Sequence, residues 1–236
     1  YVEGKNFTFD CRHANGSFEG LDAAAVELVR AKPNIIVVLG HAPTKAAQRA
    51  TQTIPIVMAA SGEPVESGFA QSLARPGGNM TGVSYYNTEL NVKRLEYLKM
   101  LVPDLKRLAV LAHASVAADL LDAYLRDCDT AGKTFGFDKK VVKFKKLEDL
   151  DRAFEEAVAA KTQGLFVAPM REVAAETLRL VELSAKHRLP VVHFRKPFAK
   201  AGGLMSYGVD YAVLYHRTAT YVDKILKGAN PGDLPV

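Results

Sequence analysis

The stretch Pro33–Pro64, PNIIVVLGHAPTKAAQRATQTIPIVMAASGEP, decides the fold class. It holds two short apolar runs, Ile35–Leu39 and Ile54–Ala59, separated by a helix with an alanine face that starts near Pro43. Short, continuous β-branched runs alternating with helices predict a parallel sheet covered on both faces. The same order returns from Gly164, in GLFVAPMREVAAETLRLVELSAKHRLPVVHF, where Leu189-Pro190 opens a strand as Ile54-Pro55 does.

Outward from this pair the match continues. The first half adds strand Phe7–Cys11, helix Leu21–Ala31, which carries Leu21, Val26, Leu28 and Val29 inward, and strand Met80–Ser84. The second adds strand Val141–Phe144, helix Leu147–Ala160 and strands Leu165–Ala168, Pro190–Phe194 and Gly203–Ser206. The expected fold is α/β, two doubly wound parallel-sheet lobes joined by a hinge and enclosing a ligand cleft. One lobe comprises residues 1–84 plus 207–236, the other 85–206, with crossings near Ser84–Asn87 and Ser206–Gly208. Helices are expected over Val65–Leu73, Thr88–Val102 and Tyr211–Lys227, the last packing on the first lobe through Leu214, Tyr221, Val222 and Ile225. The second lobe opens with an extra strand, Leu108–Ala112, and helix, Val116–Ala131, that the first lacks. The chain therefore reads as a piece of a longer protein whose first lobe lacks its first strand and helix here, and the missing signal sequence has no bearing on compartment.

Composition narrows the function classes. The 236 residues are 48% hydrophobic with a net charge of +5. No apolar run reaches the roughly 20 residues of a membrane helix. The densest basic run, Lys139, Lys140, Lys143, Lys145 and Lys146, alternates along a strand and reads as a solvated sheet edge, not a nucleic-acid surface. Cys11 shares a strand face with Phe7 and Phe9, and Cys128 continues the helical stripe Leu120, Leu121, Tyr124, Leu125. Both are expected as buried, inert thiols. No GxSxG, Walker, GxGxxG or HExxH pattern occurs. A two-lobed racemase-like enzyme would need a cysteine on a cleft loop of each lobe, and these cysteines fall elsewhere.

Ligands of open α/β sheets sit beyond the carboxyl ends of the strands. The helix near Pro43 has Ala42 where a capping side chain is expected, so its start suits an anion, with a ligand carboxylate at Thr44 and Ser61 and His41 beside them. Glu63 either meets a ligand ammonium or caps the helix near Val65. Arg171, at a second bare helix start near Pro169, suits an acid. Tyr85, Tyr86, Phe194, Phe198 and Tyr207 are candidates to wall an apolar or aromatic group. Asn87, Ser115, His193 in the loop His193–Phe198 (HFRKPF) and Asp210 complete the polar loop positions. His13, His41, His113 and His193 follow strands, but none has the i, i+4 partner or neighbouring acid of a metal ligand, so no metal or cofactor is expected.

The segments YVEGKN, IPIVMAASGEPVESGFAQSLARPGGNMTGVS, KRLEYLKMLVPDLKRLAVL, KHRLPVVHFRKPFAKAGGLMSYG and YVDKILKGANPGDLPV resemble, in order and over essentially the whole chain, the ABC-transporter substrate-binding proteins of the tryptophan/tyrosine-type group. The resemblance implies a periplasmic-binding-protein type I fold in an exported or lipid-anchored protein. Such a protein delivers a small solute, here an aromatic amino acid or aromatic acid, to a membrane permease, with no catalysis. The alternative class is the ligand-sensing domain of a transcription regulator, which shares the fold; an upstream helix-turn-helix would separate the two.

Overall fold

A computed structural model of the chain describes residues 1–14, 18–85, 87–114, 116, 118–169, 173 and 176–236. It divides into two compact units, Tyr1–Tyr86 with Tyr211–Val236, and Asn87–Asp210.

The first unit is built on β1 (Ile36–Val38), β2 (Ile56–Gly62) and β3 (Met80–Tyr85), parallel and in that order. The strand register sorts the side chains by face. Ile36, Val38, Ile56, Met58 and Met80 share one face with Ala47 of α2 (His41–Ala50) and with Leu28 and Val29 of α1 (Phe18–Arg30). Val57 and Val83 lie on the other face, against Tyr221 and Ile225 of a C-terminal helix, Tyr211–Leu226, with Leu214 and Val222 beside them. Burying each such side chain contributes about 1.5–3 kcal/mol.

The second unit holds five parallel strands in the order β5-β4-β6-β7-β8. They are β4 (Arg107–His113), β5 (Asp138–Phe144), β6 (Gly164–Val167), β7 (Val191–His193) and β8 (Met205–Ser206). The helices are α3 (Asn87–Leu101), α4 (Ala118–Phe135), α5 (Leu150–Ala159), α6 (Thr177–Lys186) and α7 (Lys196–Lys200); the C-terminal helix is α8. One continuous core runs through them, with Phe144, Phe154, Phe166 and Phe198 fully buried. The order β6-β7-β8 repeats β1-β2-β3, so the duplication read in the sequence holds at the level of topology. The fold is α/β with parallel sheets, as expected. Lys139, Lys140 and Lys143 of the basic run lie on edge strand β5, where Lys139 pairs with Asp129 and Lys140 lies 3.5 Å from Glu156. Among the described residues no helix is long and apolar enough to cross a membrane.

Five expectations are corrected. Phe7–Cys11 is not a strand: Glu3↔Phe7 is an isolated bridge, and residues 8–14 find no strand to pair with among the described residues. Phe9 is therefore 69% exposed and Cys11 is exposed rather than buried. Cys128 is buried, and burial pushes its thiol up to about 12, which leaves it inert. Val65–Leu73 is a run of turns, because one helical bond, Ser67 N–H to Glu63 O, is followed by Gly68 at φ +71°. Val26, expected inward, is 41% exposed on α1. The HFRKPF segment, read as a loop, contains α7, with Pro197 in its first turn.

Candidate functional site

In the first unit the strand carboxyl ends meet the start of α2. Gly40 occupies the N-cap position, no side chain caps the helix, and its first turn holds no acidic residue. The bare start lies two residues earlier than the sequence suggests, because the helix begins at His41 rather than near Pro43. Such an end carries positive partial charge and suits an anion.

Ser61 reaches this place through a β-bulge. Met58 faces α2, Ala59 pairs with Val83 on the α8 face, and Ala60 is the extra residue, at φ +75°. Ser61 then pairs with Ser84, which follows Val83 and so faces α2. Simple alternation would have put Ser61 with Val57 and Ala59 on the opposite face; the bulge turns it round. Val38 pairs with Met58, so the strand that carries Ser61 runs beside the one that leads into Gly40 and α2. Its side chain is fully buried, and Oγ meets no hydrogen-bond partner among the described residues. Glu63, at φ +47°, follows, so two non-glycine residues in the left-handed region flank Ser61.

Thr44 is fully buried, but its one hydroxyl proton is engaged: Oγ1 donates to Gly40 O at 2.6 Å. The hydroxyl donor without an acceptor is therefore that of Ser61, and Thr44 shapes the helix start. His41 packs on Phe69 (ring centroids 5.1 Å apart), its Nδ1 3.4 Å from Ser67 Oγ. The structure thus brings His41, Thr44 and Ser61 to one strand end, with Glu63 just beyond.

In the second unit the counterpart is the end of β7. His193 is fully buried and stacks on both Phe194 (4.5 Å) and Phe198 (4.9 Å). Its Nδ1 accepts the Arg195 N–H at 3.0 Å, which places the ring proton of the neutral side chain on Nε2. Nε2 has no hydrogen-bond partner among the described residues. The Tyr207 N–H donates to His193 O at 2.9 Å, and the Tyr207 ring meets Tyr97 edge-on at 5.2 Å.

Beneath Tyr207 lies a polar chain. Arg94 Nε donates to Tyr207 O at 2.5 Å, Arg94 Nη1 donates to Asn91 Oδ1 at 2.5 Å, and Asn91 Nδ2 donates to Asp127 Oδ2 at 2.7 Å. All three side chains are buried, Arg94 being 2% exposed.

Of the other expected site residues, Tyr85 closes β3 and meets Tyr211 edge-on at 6.4 Å, both in the first unit. Asp210 is exposed at the boundary of the second unit. His113 is engaged with Lys145 O at 2.8 Å and packs on Phe144. Ser115, Arg171 and Tyr86 lie outside the described residues, as does the helix start expected near Pro169; Asn87 opens α3, and its side chain likewise lies outside them. Sequence reasoning missed Arg94 and Asn91. The available signal was their spacing: they stand four residues before Leu98 and Leu95, polar interruptions of the stripe that α3 buries.

The chain matches the family of ABC transporter substrate binding proteins across residues 1–236. It belongs to that family. A curated relative, a tyrosine-binding protein of Clostridioides difficile strain R20291, is 26% identical over 242 residues, covering 100% of this chain and 67% of its own length. A conserved domain protein from Vibrio cholerae has a TM-score of 0.88 at 27% identity, covering 100% of this chain and 78% of its own. An ABC domain from Streptococcus pneumoniae, solved with L-Trp, has a TM-score of 0.86 at 22% identity, covering 99% and 78%. The family is one of binding proteins, not enzymes.

Burial pushes His193 of this substrate-binding protein down to about 4 from the ordinary 6.5; the Arg195 N–H bond opposes it, and the Arg94 and Arg195 charges act in the same direction as burial. The unfolded chain therefore takes up a proton below about pH 6.5 that the folded chain refuses until about pH 4. Stability is full above pH 6.5 and falls as the pH drops, by up to about 3 kcal/mol from this residue. Denaturant midpoints at pH 7 and pH 4.5 check this: the wild type should lose more than a His193→Asn variant, and equal losses would contradict it.

Proposed function

We propose that the chain is the solute-capturing component of an ABC import system, working outside the cytoplasm with a membrane permease, and that its solute is a small carboxylate, an aromatic amino acid or aromatic acid. The observation that carries the carboxylate is the buried Ser61 Oγ without a partner, turned by a bulge towards an uncapped helix start. A carboxylate there would accept from the hydroxyl and sit at the positive end of α2. The L-Trp in the pneumococcal structure and the name of the clostridial relative point to the same solute class.

The test is mass spectrometry of small molecules released on denaturing the freshly purified protein, with titration calorimetry of L-tryptophan, L-tyrosine and their decarboxylated amines. Carboxylates should bind and the amines should not; binding of neither would refute the reading. Ser61→Ala carries a two-sided expectation. Removing an unsatisfied buried hydroxyl should leave the ligand-free protein as stable or slightly more so, while affinity for the carboxylate falls about tenfold. Unchanged affinity would remove Ser61 from the site.

A further inference from the structure

The β-bulge also decides what stands across the ladder from Ser84. Plain alternation would set Ala60 there, a methyl opposite a hydroxyl. With Ala60 as the extra residue at φ +75°, Ser61 takes that place. Ser84 shares its face of β3 with Met80, which packs on the α2 side. Thr81 and Val83 point the other way, Thr81 Oγ1 donating to Leu234 O at 2.7 Å and Val83 packing on α8. Two serines therefore stand side by side on adjacent strands, both on the α2 face, at the carboxyl end of the first unit's sheet.

Neither hydroxyl is used within the chain. Ser61 Oγ is fully buried without a partner among the described residues. The half-buried Ser84 makes no side-chain hydrogen bond to a described residue, so the two serines do not bond each other. Paired strands lie about 4.7–4.9 Å apart, wider than the roughly 2.7–2.8 Å of an O–H···O bond. That spacing suits an acceptor held between the two donors. A carboxylate offers one oxygen to each, in charge-assisted bonds of about 2.5–2.7 Å. The uncapped start of α2, with no acidic residue in its first turn, favours an anion on the same face. Ser84 is the more exposed of the two and marks the open side of the pair.

We propose that Ser84 is a further binding residue for the solute, Ser61 and Ser84 each donating to one oxygen of the same carboxylate. This rests on the carboxylate reading above and adds to it a second donor and a narrower ligand class. Paired donors select a free carboxylate over its primary amide, in which an NH2 group that itself donates replaces one oxygen. A serine hydroxyl can turn to accept from that group, but the bond then joins neutral partners and is about half as strong.

The experiment titrates L-tryptophan, L-tryptophanamide and tryptamine by calorimetry at pH 6, where all three carry the ammonium. The proteins are the wild type, Ser61→Ala, Ser84→Ala and the double variant, with thermal unfolding of each to establish that it is folded. Ser84→Cys, which keeps the shape and weakens the donor, is a second variant at the half-buried position. Ser84→Ala should bind L-tryptophan about tenfold more weakly and lose less than about threefold for the amide. The double variant should fall short of the roughly hundredfold loss of two independent sites, because both donors serve one carboxylate. Three outcomes would overturn the assignment. One is unchanged affinity in Ser84→Ala and Ser84→Cys, as a water bridging the pair would give. Another is an equal loss for L-tryptophan and its amide, the mark of a merely structural effect. The third is losses that multiply in full. If tryptamine binds the wild type as well as L-tryptophan does, or neither L-tryptophan nor L-tyrosine binds, the carboxylate reading itself fails and the role of Ser84 falls with it.

Discussion

A Gly82→Ala substitution is expected to abolish the native first unit. Gly82 pairs with Met58 in the β2–β3 ladder at φ +141°, and a Cβ there would lie 2.2 Å from Met58 O and 2.5 Å from Met58 N. These are backbone atoms of the central strand of a three-stranded sheet, so no side-chain rotation relieves the overlap. The backbone conformation is also one that residues with a Cβ rarely adopt. Relief requires β3 to move off β2, which loses ladder hydrogen bonds and the burial of Met80 and Val83 together. The loss should exceed about 4 kcal/mol, in the range reserved for a named structural failure. Met58 also precedes the bulge that turns Ser61 towards α2, so any surviving folded fraction should bind solute poorly. The measurement is denaturant unfolding followed by far-UV circular dichroism, with solute titration of the soluble fraction. A midpoint close to that of the wild type would show that the two strands separate at little cost.

The sequence discloses the fold well because its signals are periodic. The pair Ile54-Pro55 and Leu189-Pro190, the apolar runs behind them and the amphipathic helices between them carry their information locally, and β2, β7 and α8 lie where those signals put them. Phe7–Cys11 shows the limit. Alternating Phe7, Phe9 and Cys11 satisfy the strand pattern, but a strand exists only where a neighbour supplies hydrogen bonds, and residues 8–14 have no such neighbour among the described residues. The site is legible only in part, for the same reason. Ser61 stands out in sequence as a hydroxyl after a strand, yet its direction depends on Ala60 adopting φ +75°, which no composition rule gives for alanine. Thr44 looks equivalent in sequence and differs because its hydroxyl turns back to Gly40 O. The donor state of His193 depends on the amide two residues on, a contact set by the turn into α7. What escaped was what depends on register and on who meets whom across elements.

The second large effect belongs to a residue of that kind. Arg94→Met should destabilise the protein by about 3–5 kcal/mol, the usual consequence of removing one member of a buried charged network. The guanidinium lies between two demands: it donates to Tyr207 O where the chain leaves β8, and through Asn91 it is linked to the Asp127 carboxylate on α4. Methionine fills comparable volume but satisfies neither, and it leaves a carboxylate that is 5% exposed without this cation nearby. Arg94→Lys keeps the charge but lacks the planar fork that serves two acceptors at once, and should fall between wild type and Arg94→Met. The decisive comparison is the double variant Arg94→Met with Asp127→Asn. If the cost of the single change is mainly the lost charge complementarity between Arg94 and Asp127, neutralising Asp127 should restore at least about 1–2 kcal/mol, a non-additivity expected of members of one network. Additive losses would place the effect in packing of α3 instead. The same substitution removes a cation that helps hold His193 below its ordinary range, so the folded-state pKa of His193 should rise towards 6.5 and the loss of midpoint between pH 7 and pH 4.5 should be smaller in Arg94→Met. One variant thus reads two properties: the midpoint at pH 7 reports the charge network, and its displacement between pH 7 and pH 4.5 reports the coupling of Arg94 to the end of β7.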